Sequence, residues 1–598
     1  MPSRRKDAKA VTQKVGKVLE NLWKSEGEVA RQERFSAAGT DYGPMFAAAA
    51  TGPIESVAMT AEAAQPAEGA PTPAVGVEPV FEEAVRKDVQ GNIIPGFNKD
   101  YQHFLFYRIG NVKAAKKWLQ WIAPMISSMD EVLAFNRMYR AMRFRLGAKD
   151  VPIKATWANI AFSCSAIAAL TSKDDCLKFG DESFRQGLAA RSEYLGDPTD
   201  PKAIGNKRKW VVGGPKNEAD ILVLVAGDDP RLLRDMVSLI KGKASEYKLK
   251  LLFEQPGETL PGALRGHEHF GFKDGISQPG VRGRVSAVSD DYITPRYIQS
   301  TDPRSSLFAK PGQLLVWPGQ FLLGMQRQNP ENLFTPATEA ANFPAWARNG
   351  SYLVCRRLQQ DVKAFWEFAI TTAASLRVPS QRFASMLVGR WPSGAPVMRT
   401  PSSDVPALGA DDLANNHFLF DDDTRPSSLI PIPGYGGDTN AQARADMLGT
   451  VCPHFAHVRK VNPRDSSTDL GKVADSLIRM IMRRGIPFGP PVAGVKNPTT
   501  SLWKKERGLV FICYQSSIED QFEFLTRRWA NSQVQPNFGG HDPIIGQEGS
   551  QGSRTRFIDF PKGGKSVRIP LKVEWVIPTG GGYFFAPPIS AIKGVLGS

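Results

Sequence analysis

The chain reads as an α+β protein in which helices cover one face of an antiparallel sheet, behind an N-terminal extension that is part helix and part tether. Three observations predict this: apolar or aromatic runs of strand length recur along the chain, helix-length amphipathic segments follow them, and residues 36–80 carry no core-forming pattern. The aromatic run 101–109 is the first strand and 112–125 the first helix. Residues 221–226 form the next strand, and 229–241 a helix that Asp229 caps ahead of Pro230. Residues 313–323 and 350–358 read as strands, 361–372 as a helix, 508–514 as the last strong strand and 518–529 as its helix.

In the extension, Val11, Val15, Val18, Leu19, Leu22 and Trp23 fall on one stripe of a helix with Lys14, Lys17 and Lys24 off it. That apolar face needs a partner, and the body of the same chain or a sister subunit is the simplest one; a membrane surface or another protein is the alternative. Residues 36–80 contain no lysine or arginine and are rich in Ala, Pro and Gly, the composition of a flexible tether.

A length of 598 residues exceeds one ordinary core and implies at least two domains. Cys164, Cys176, Cys355, Cys452 and Cys513 are odd in number, widely spaced and without a C-x-x-C pair, which points to free thiols, a reducing compartment and a cytoplasmic location. Arg4-Arg5 is followed by no apolar stretch of the kind an export signal requires, and no apolar run is long enough to cross a bilayer. The net charge of +15 favours encounter with anionic molecules, but no zinc-finger spacing or RNP-like pattern turns that attraction into nucleic-acid recognition.

Three segments carry the chemistry. Gly271-Phe272-Lys273-Asp274-Gly275 holds one carboxylate between glycines, so Asp274 is a fixed acid that a bulky ligand can approach closely. Cys452-Pro453-His454-Phe455-Ala456-His457-Val458-Arg459-Lys460-Val461-Asn462-Pro463-Arg464 sets two imidazoles among cations, and Arg483-Arg484-Gly485-Ile486-Pro487-Phe488-Gly489 follows. Together these resemble the dye-decolorizing peroxidase family: its GxxDG signature, its heme-ligand segment and its distal-arginine segment, in that order. The resemblance extends from about residue 81 to 598, through Asp88–Ile93, Gly350–Val354, Leu387–Trp391 and Gln521–Phe524.

The resemblance implies two ferredoxin-like domains, 81–300 with the GFKDG run and 301–598 with the heme ligand and distal arginine, after an extension 1–80. It implies heme b, with His457 rather than His454 as the proximal iron ligand; neutral imidazole suits an iron that must reach a higher oxidation state. Asp542 matches the acceptor of that imidazole's other ring proton, and Arg464 the partner of a heme propionate. Peroxide chemistry needs a base to move a proton between the two oxygens and a cation for the charge that develops; Asp274 and Arg483 match these roles. Arg484 stands at a variable position.

Leu509 and Phe511 alternate on one strand face and would wall the distal pocket, or simply serve as core. Family members often pass electrons to bulky donors from a surface aromatic, and Trp529 stands where several carry one; Phe488 replaces a tyrosine found in many. Cys452 reads as structural, and His267-Glu268-His269 as an incomplete metal site. Residues 593–598 faintly resemble cargo peptides that load some relatives into protein compartments, a likeness read as chance.

The implied activity is peroxidation of phenols and anthraquinone-type dyes by hydrogen peroxide, with self-association left open. The rival is a heme-handling protein without turnover, which would keep His457 and Arg464 and make no use of Asp274 and Arg483. A carboxylate titrates near pH 4 where histidine titrates near 6.5, so turnover is expected to be best in mildly acidic buffer.

Overall fold

The computed structural model describes residues 13–20, 78–147, 153–286, 291–294, 309–422, 438–471, 473–495, 498–547 and 555–598. Among these, nine strands join one antiparallel sheet: β1 (Tyr101–Ile109), β2 (Thr156–Phe162), β3 (Ile221–Gly227), β4 (Leu249–Glu258), β5 (Ser351–Gln360), β6 (Met482–Arg483), β7 (Ile486–Phe488), β8 (Gly508–Gln515) and β9 (Val576–Ala586). The first four lie in the order β4-β1-β3-β2, and the second set repeats it as β9-β5-β8-β6, with β7 also on β8. Helix α1 spans residues 13–20. Helices α2 (Val112–Ile122) and α3 (Pro230–Glu246) follow β1 and β3; α4 (Val362–Leu376) and the wide π-wound helix α6 (Ile518–Ala530) follow β5 and β8. Each half is therefore a ferredoxin-like βαββαβ unit, and α5 (His457–Val461) lies in the long connection between α4 and β6.

Local sequence chemistry sets the helix starts. Asn111, Asp229 and Asp361 each accept a backbone N–H in the first turn of α2, α3 and α4, and Pro230 occupies a position whose missing N–H is never needed. Side chains alternate across the sheet. Leu105, Tyr107 and Val223 face outward onto Trp118 of α2 and Val237 of α3. Phe104, Phe106 and Leu224 face inward and share a core with Val510, Ile512 and Phe584 of the second unit.

The units meet where Phe585 of β9 pairs with Phe162 of β2. At the other end, a Cβ on Gly257 of β4 would stand 2.5 Å from Ile486 Cγ2, so the outermost strands approach closely and the sheet curls towards a barrel. The boundary expected near residue 300 would lie in the connection between β4 and β5, and residue 300 itself lies outside the described residues.

Several expectations need correction. Residues 313–323 are not a strand of the sheet; only Leu315–Val316 pair, in parallel with Gly280–Val281, because Pro318-Gly319 turns the chain. Cys164 and Cys176 form a disulfide, their Cα atoms 5.6 Å apart across the turn between two short helices, while Cys355, Cys452 and Cys513 are free and buried. The argument for five free thiols, and with it the one for a cytoplasmic location, therefore falls. No helix among the described residues is long and apolar enough to cross a membrane.

Helix α1 docks on the body of its own chain. Val15 and Leu19 are buried in a cluster with Leu260, Phe270, Phe272 and Trp366. The tether 36–77 lies outside the described residues. At the other terminus, Ile592 and Leu596 are buried in the outer core, and Lys116 and Gln120 of α2 bond the Ser598 and Gly597 carbonyls at 2.6 and 2.8 Å.

Candidate active site

A cavity with about 1600 Å³ of non-atom space, part of it open to solvent, is lined by Leu509 and Phe511 on the outward face of β8. The three sequence segments converge on it. Asp274, Arg483 and His457 all line its wall.

Asp274 stands at the end of a tight turn in which Glu268 N–H donates to Phe272 O at 3.0 Å and Asp274 N–H to Gly266 O at 2.9 Å. Gly271 and Gly275 flank it at φ +95° and +79°, values a side chain rarely tolerates, so the signature glycines are backbone requirements. Its carboxylate has 41% of its side-chain surface open to the cavity. Oδ1 accepts the Gly275 N–H at 2.6 Å and Arg483 Nη1 at 2.9 Å. Burial works to raise this carboxyl, but the Arg483 charge and the Gly275 amide outweigh it, and the net shift is downward.

Arg483 lies on β6 opposite Cys513 of β8. Gln278 clamps its backbone, accepting its N–H and donating to its carbonyl, both at 3.2 Å, and Nη2 donates to Ser277 O at 3.0 Å. The cation is therefore fixed by the same loop that carries Asp274. Arg484 points away and donates to the carbonyls of Asn92, Ile93 and Pro95, a structural clip.

His457 opens α5, and its Nδ1 lies 2.7 Å from Asp542 Oδ2. Asp542 is 0% exposed, and its Oδ1 accepts the N–H groups of Ile544 and Ile545 at 2.8 and 3.0 Å. Burial pushes the imidazole pKa down, but the carboxylate beside it prevails and raises it. This pairing fixes the ring and leaves Nε2 as the nitrogen for the cavity.

His454 and Cys452 are not among the cavity-lining residues, and burial holds the Cys452 thiol up at about 12. His267 and His269 bond separate carbonyls, of Pro392 and Phe488, and no cluster of three metal-ligating side chains occurs among the described residues.

Two of the expected residues lie elsewhere than their roles anticipate. Arg464 does not line the cavity: with a left-handed backbone at φ +55° it stacks on Phe418 at 3.9 Å and gives its donors to Phe418 O, Asn416 O and Asn416 Oδ1. Arg390 lines the cavity instead, braced by Asn416 Oδ1 at 2.8 Å and Ser277 Oγ at 3.0 Å. Its only sequence signal was membership of the 387–391 segment. Trp529 is not a surface aromatic: it is 1% exposed, with Nε1 donating to Asp469 Oδ1 at 3.1 Å.

An imidazole backed by a buried acid is how proteins commonly hold a metal, and apolar walls suit a flat organic ring, so the cavity has the features of a site for a metal-bearing organic ring. Residues 88–255 match the model of the DyP dimeric alpha+beta barrel domain, and 399–537 that of the Dyp-type peroxidase C-terminal region. The chain is 32% identical to the dye-decolorizing peroxidase msp1 of Mycetinis scorodonius, across 85% of this chain and 87% of that one. It is 30% identical to the dye-decolorizing peroxidase AauDyP1 of Auricularia auricula-judae, across 85% and 86%. A solved structure of an ancestral D-type dye-decolorizing peroxidase superposes with a TM-score of 0.66 at 29% identity, covering 86% of this chain and 99% of that one. The chain belongs to the dye-decolorizing peroxidase family and is a heme-dependent oxidoreductase acting on peroxide.

Proposed function

We propose that the chain uses hydrogen peroxide to oxidise aromatic donors such as phenols and anthraquinone-type dyes, with heme b as cofactor. One observation carries this reading: the Asp274–Arg483 pair and the Asp542-backed His457 share a single apolar-walled cavity. His457 Nε2 would hold the iron, Leu509 and Phe511 would pack the ring, and Arg390 would pair a carboxylate on its edge. Bound heme supplies the electrons that cleave the peroxide bond and stores the oxidising power that the donors then discharge.

The protein's share is proton transfer and charge. Both hydrogen bonds to Asp274 fall on Oδ1, so Oδ2 is the oxygen that takes up peroxide's proton and gives it back to the departing oxygen. The Arg483 guanidinium, already oriented by Ser277 O and the Gln278 clamp, offers positive charge without reorganisation. The net charge of +15 would draw sulfonated dyes towards the surface.

The test is the absorption spectrum of the heme-loaded chain on rapid mixing with peroxide. A fast spectral change, followed by recovery when a phenol is added, supports a peroxidase. Slow bleaching alone supports a heme-handling protein.

A further inference from the structure

Glu268 is a carboxylate that the chemistry above does not use, yet it lines the same cavity as Asp274. Its Oε2 accepts the Phe270 N–H at 2.8 Å and its Oε1 the Phe272 N–H at 3.0 Å. Asp274, two residues beyond Phe272, closes the same turn onto Gly266. Phe270 stacks on Phe365 and Phe272 on Trp366, so the stapled turn is rooted in the core and its end cannot shift independently.

Gln360, the last residue of β5 and 7% exposed, also lines the cavity and donates its Nε2 to Glu268 Oε2. Its Oε1 is buried without a hydrogen-bond partner among the described residues. An amide facing a carboxyl can satisfy that oxygen in one way: when Glu268 carries a proton, the amide turns over and Oε1 accepts the carboxyl O–H. The pair has two complementary states, a carboxylate receiving an amide N–H and an acid giving its proton to the amide oxygen. In both, the remaining lone pairs still accept the turn amides.

We infer that Glu268 is a positioning residue of the peroxidase site, stapling the turn that carries Asp274, and that the Glu268–Gln360 pair decides whether the cavity holds one anion or two. With Glu268 neutral, Asp274 is balanced by Arg483. With Glu268 ionised, a second negative charge opposes any anion formed or bound there. This rests on the peroxidase reading of Asp274.

The surroundings support such a switch. Burial pushes the Glu268 carboxyl up to about 7, with the Asp274 charge adding to the rise, while the Phe270 and Phe272 amides and Gln360 work against it. Flanking His267 and His269 are pushed down to about 4 by burial and add no charge near neutrality. Across the cavity stand Arg483, paired to Asp274, and His457, paired to Asp542, and Lys273, Arg390 and Arg479 also line its wall. Phe365 and Trp366 of α4 and Gln360 of β5 are uncharged. Because the folded value is raised, Glu268 is neutral below about pH 7 and charges above it.

The test is a spectroscopic titration of the heme-loaded ferric protein with fluoride from pH 4 to 9. Wild type should lose fluoride affinity with a break near pH 7. Glu268→Gln, held neutral, should lose the break and bind fluoride more tightly than wild type above it. Gln360→Leu, which removes both the N–H that favours the ion and the oxygen that accepts from the acid and leaves a buried carboxyl against an apolar side chain, should move the break up by about one pH unit. Since Gln360 makes no bond to the turn backbone, that variant carries the test should Glu268→Gln fail to fold. A break unchanged in both variants overturns the inference. A wild-type protein that shows the break but no spectral response to peroxide fails the peroxidase reading instead, which separates the two failures.

Discussion

Arg483 Nη1 lies 2.9 Å from Asp274 Oδ1, joining two residues 209 positions apart at the wall of one cavity. Each fixes the other. The cation holds the carboxylate ionised, and the carboxylate holds the cation in place.

Replacing Asp274 by Asn removes the proposed base and keeps the shape. The rate of the peroxide-dependent spectral change should fall by roughly 10²–10⁴-fold. Because Arg483 and the Gly275 amide hold the Asp274 pKa below its ordinary value, the base stays ionised through mildly acidic pH. Activation in wild type should therefore decline only as pH falls through the carboxylate range, below about 4. The same sign governs stability: the pair's contribution is present above the unfolded carboxylate value and is lost as pH falls through the lower folded one. Stopped-flow rates between pH 3 and 6 check both limbs.

Replacing Arg483 by Lys keeps the charge and loses the fork that reaches Asp274 Oδ1 and Ser277 O together. We expect about 10²–10³-fold slower activation with unchanged heme uptake. Measuring uptake by absorbance beside the rate distinguishes this from misfolding.

Asp542→Asn leaves His457 without its anionic partner and the Ile544 and Ile545 amides with a weaker acceptor. Affinity for the cofactor should drop roughly 10–100-fold. The ferric/ferrous potential should rise, because a less basic imidazole stabilises the oxidised metal less. A potentiometric titration reads this directly.

Leu19→Asp puts a charge into the cluster that receives α1. Burial of a leucine is worth about 1.5–3 kcal/mol, so the helix should detach and the thermal midpoint should fall. Removal of residues 1–80 should have the same effect on stability and leave the heme spectrum intact. Scanning calorimetry with a parallel spectrum tests both.

Much of this was legible in the sequence because its signals are local. Strands 101–109, 221–227, 351–360 and 508–515 each contain the apolar or aromatic run read from the sequence at 101–109, 221–226, 350–358 and 508–514. The family resemblance singled out Asp274, His457, Arg483 and Asp542, and the fold brings the first three to one cavity wall with Asp542 behind His457. Strands β2, β4, β6, β7 and β9 were not anticipated; β6 and β7 are two and three residues long, and prolines and glycines interrupt β4 and β9, where Pro256 lies on the edge strand that tolerates it and Pro578 lies at a bulge. The roles of Arg390 and Arg464 depend on which guanidinium reaches the cavity, something only the packing around Asn416 decides. The Cys164–Cys176 bridge and the burial of Trp529 are likewise tertiary facts, without a spacing that announces them.

The central claim is tested most directly by one experiment: absorption spectra of heme-loaded wild type, Asp274→Asn and His457→Ala, each before and milliseconds after peroxide. The account predicts a histidine-ligated ferric spectrum that changes rapidly in wild type, the same starting spectrum with a slow response in Asp274→Asn, and an altered or absent heme spectrum in His457→Ala. A fast response in all three, or a wild-type heme spectrum that peroxide only bleaches, would contradict it.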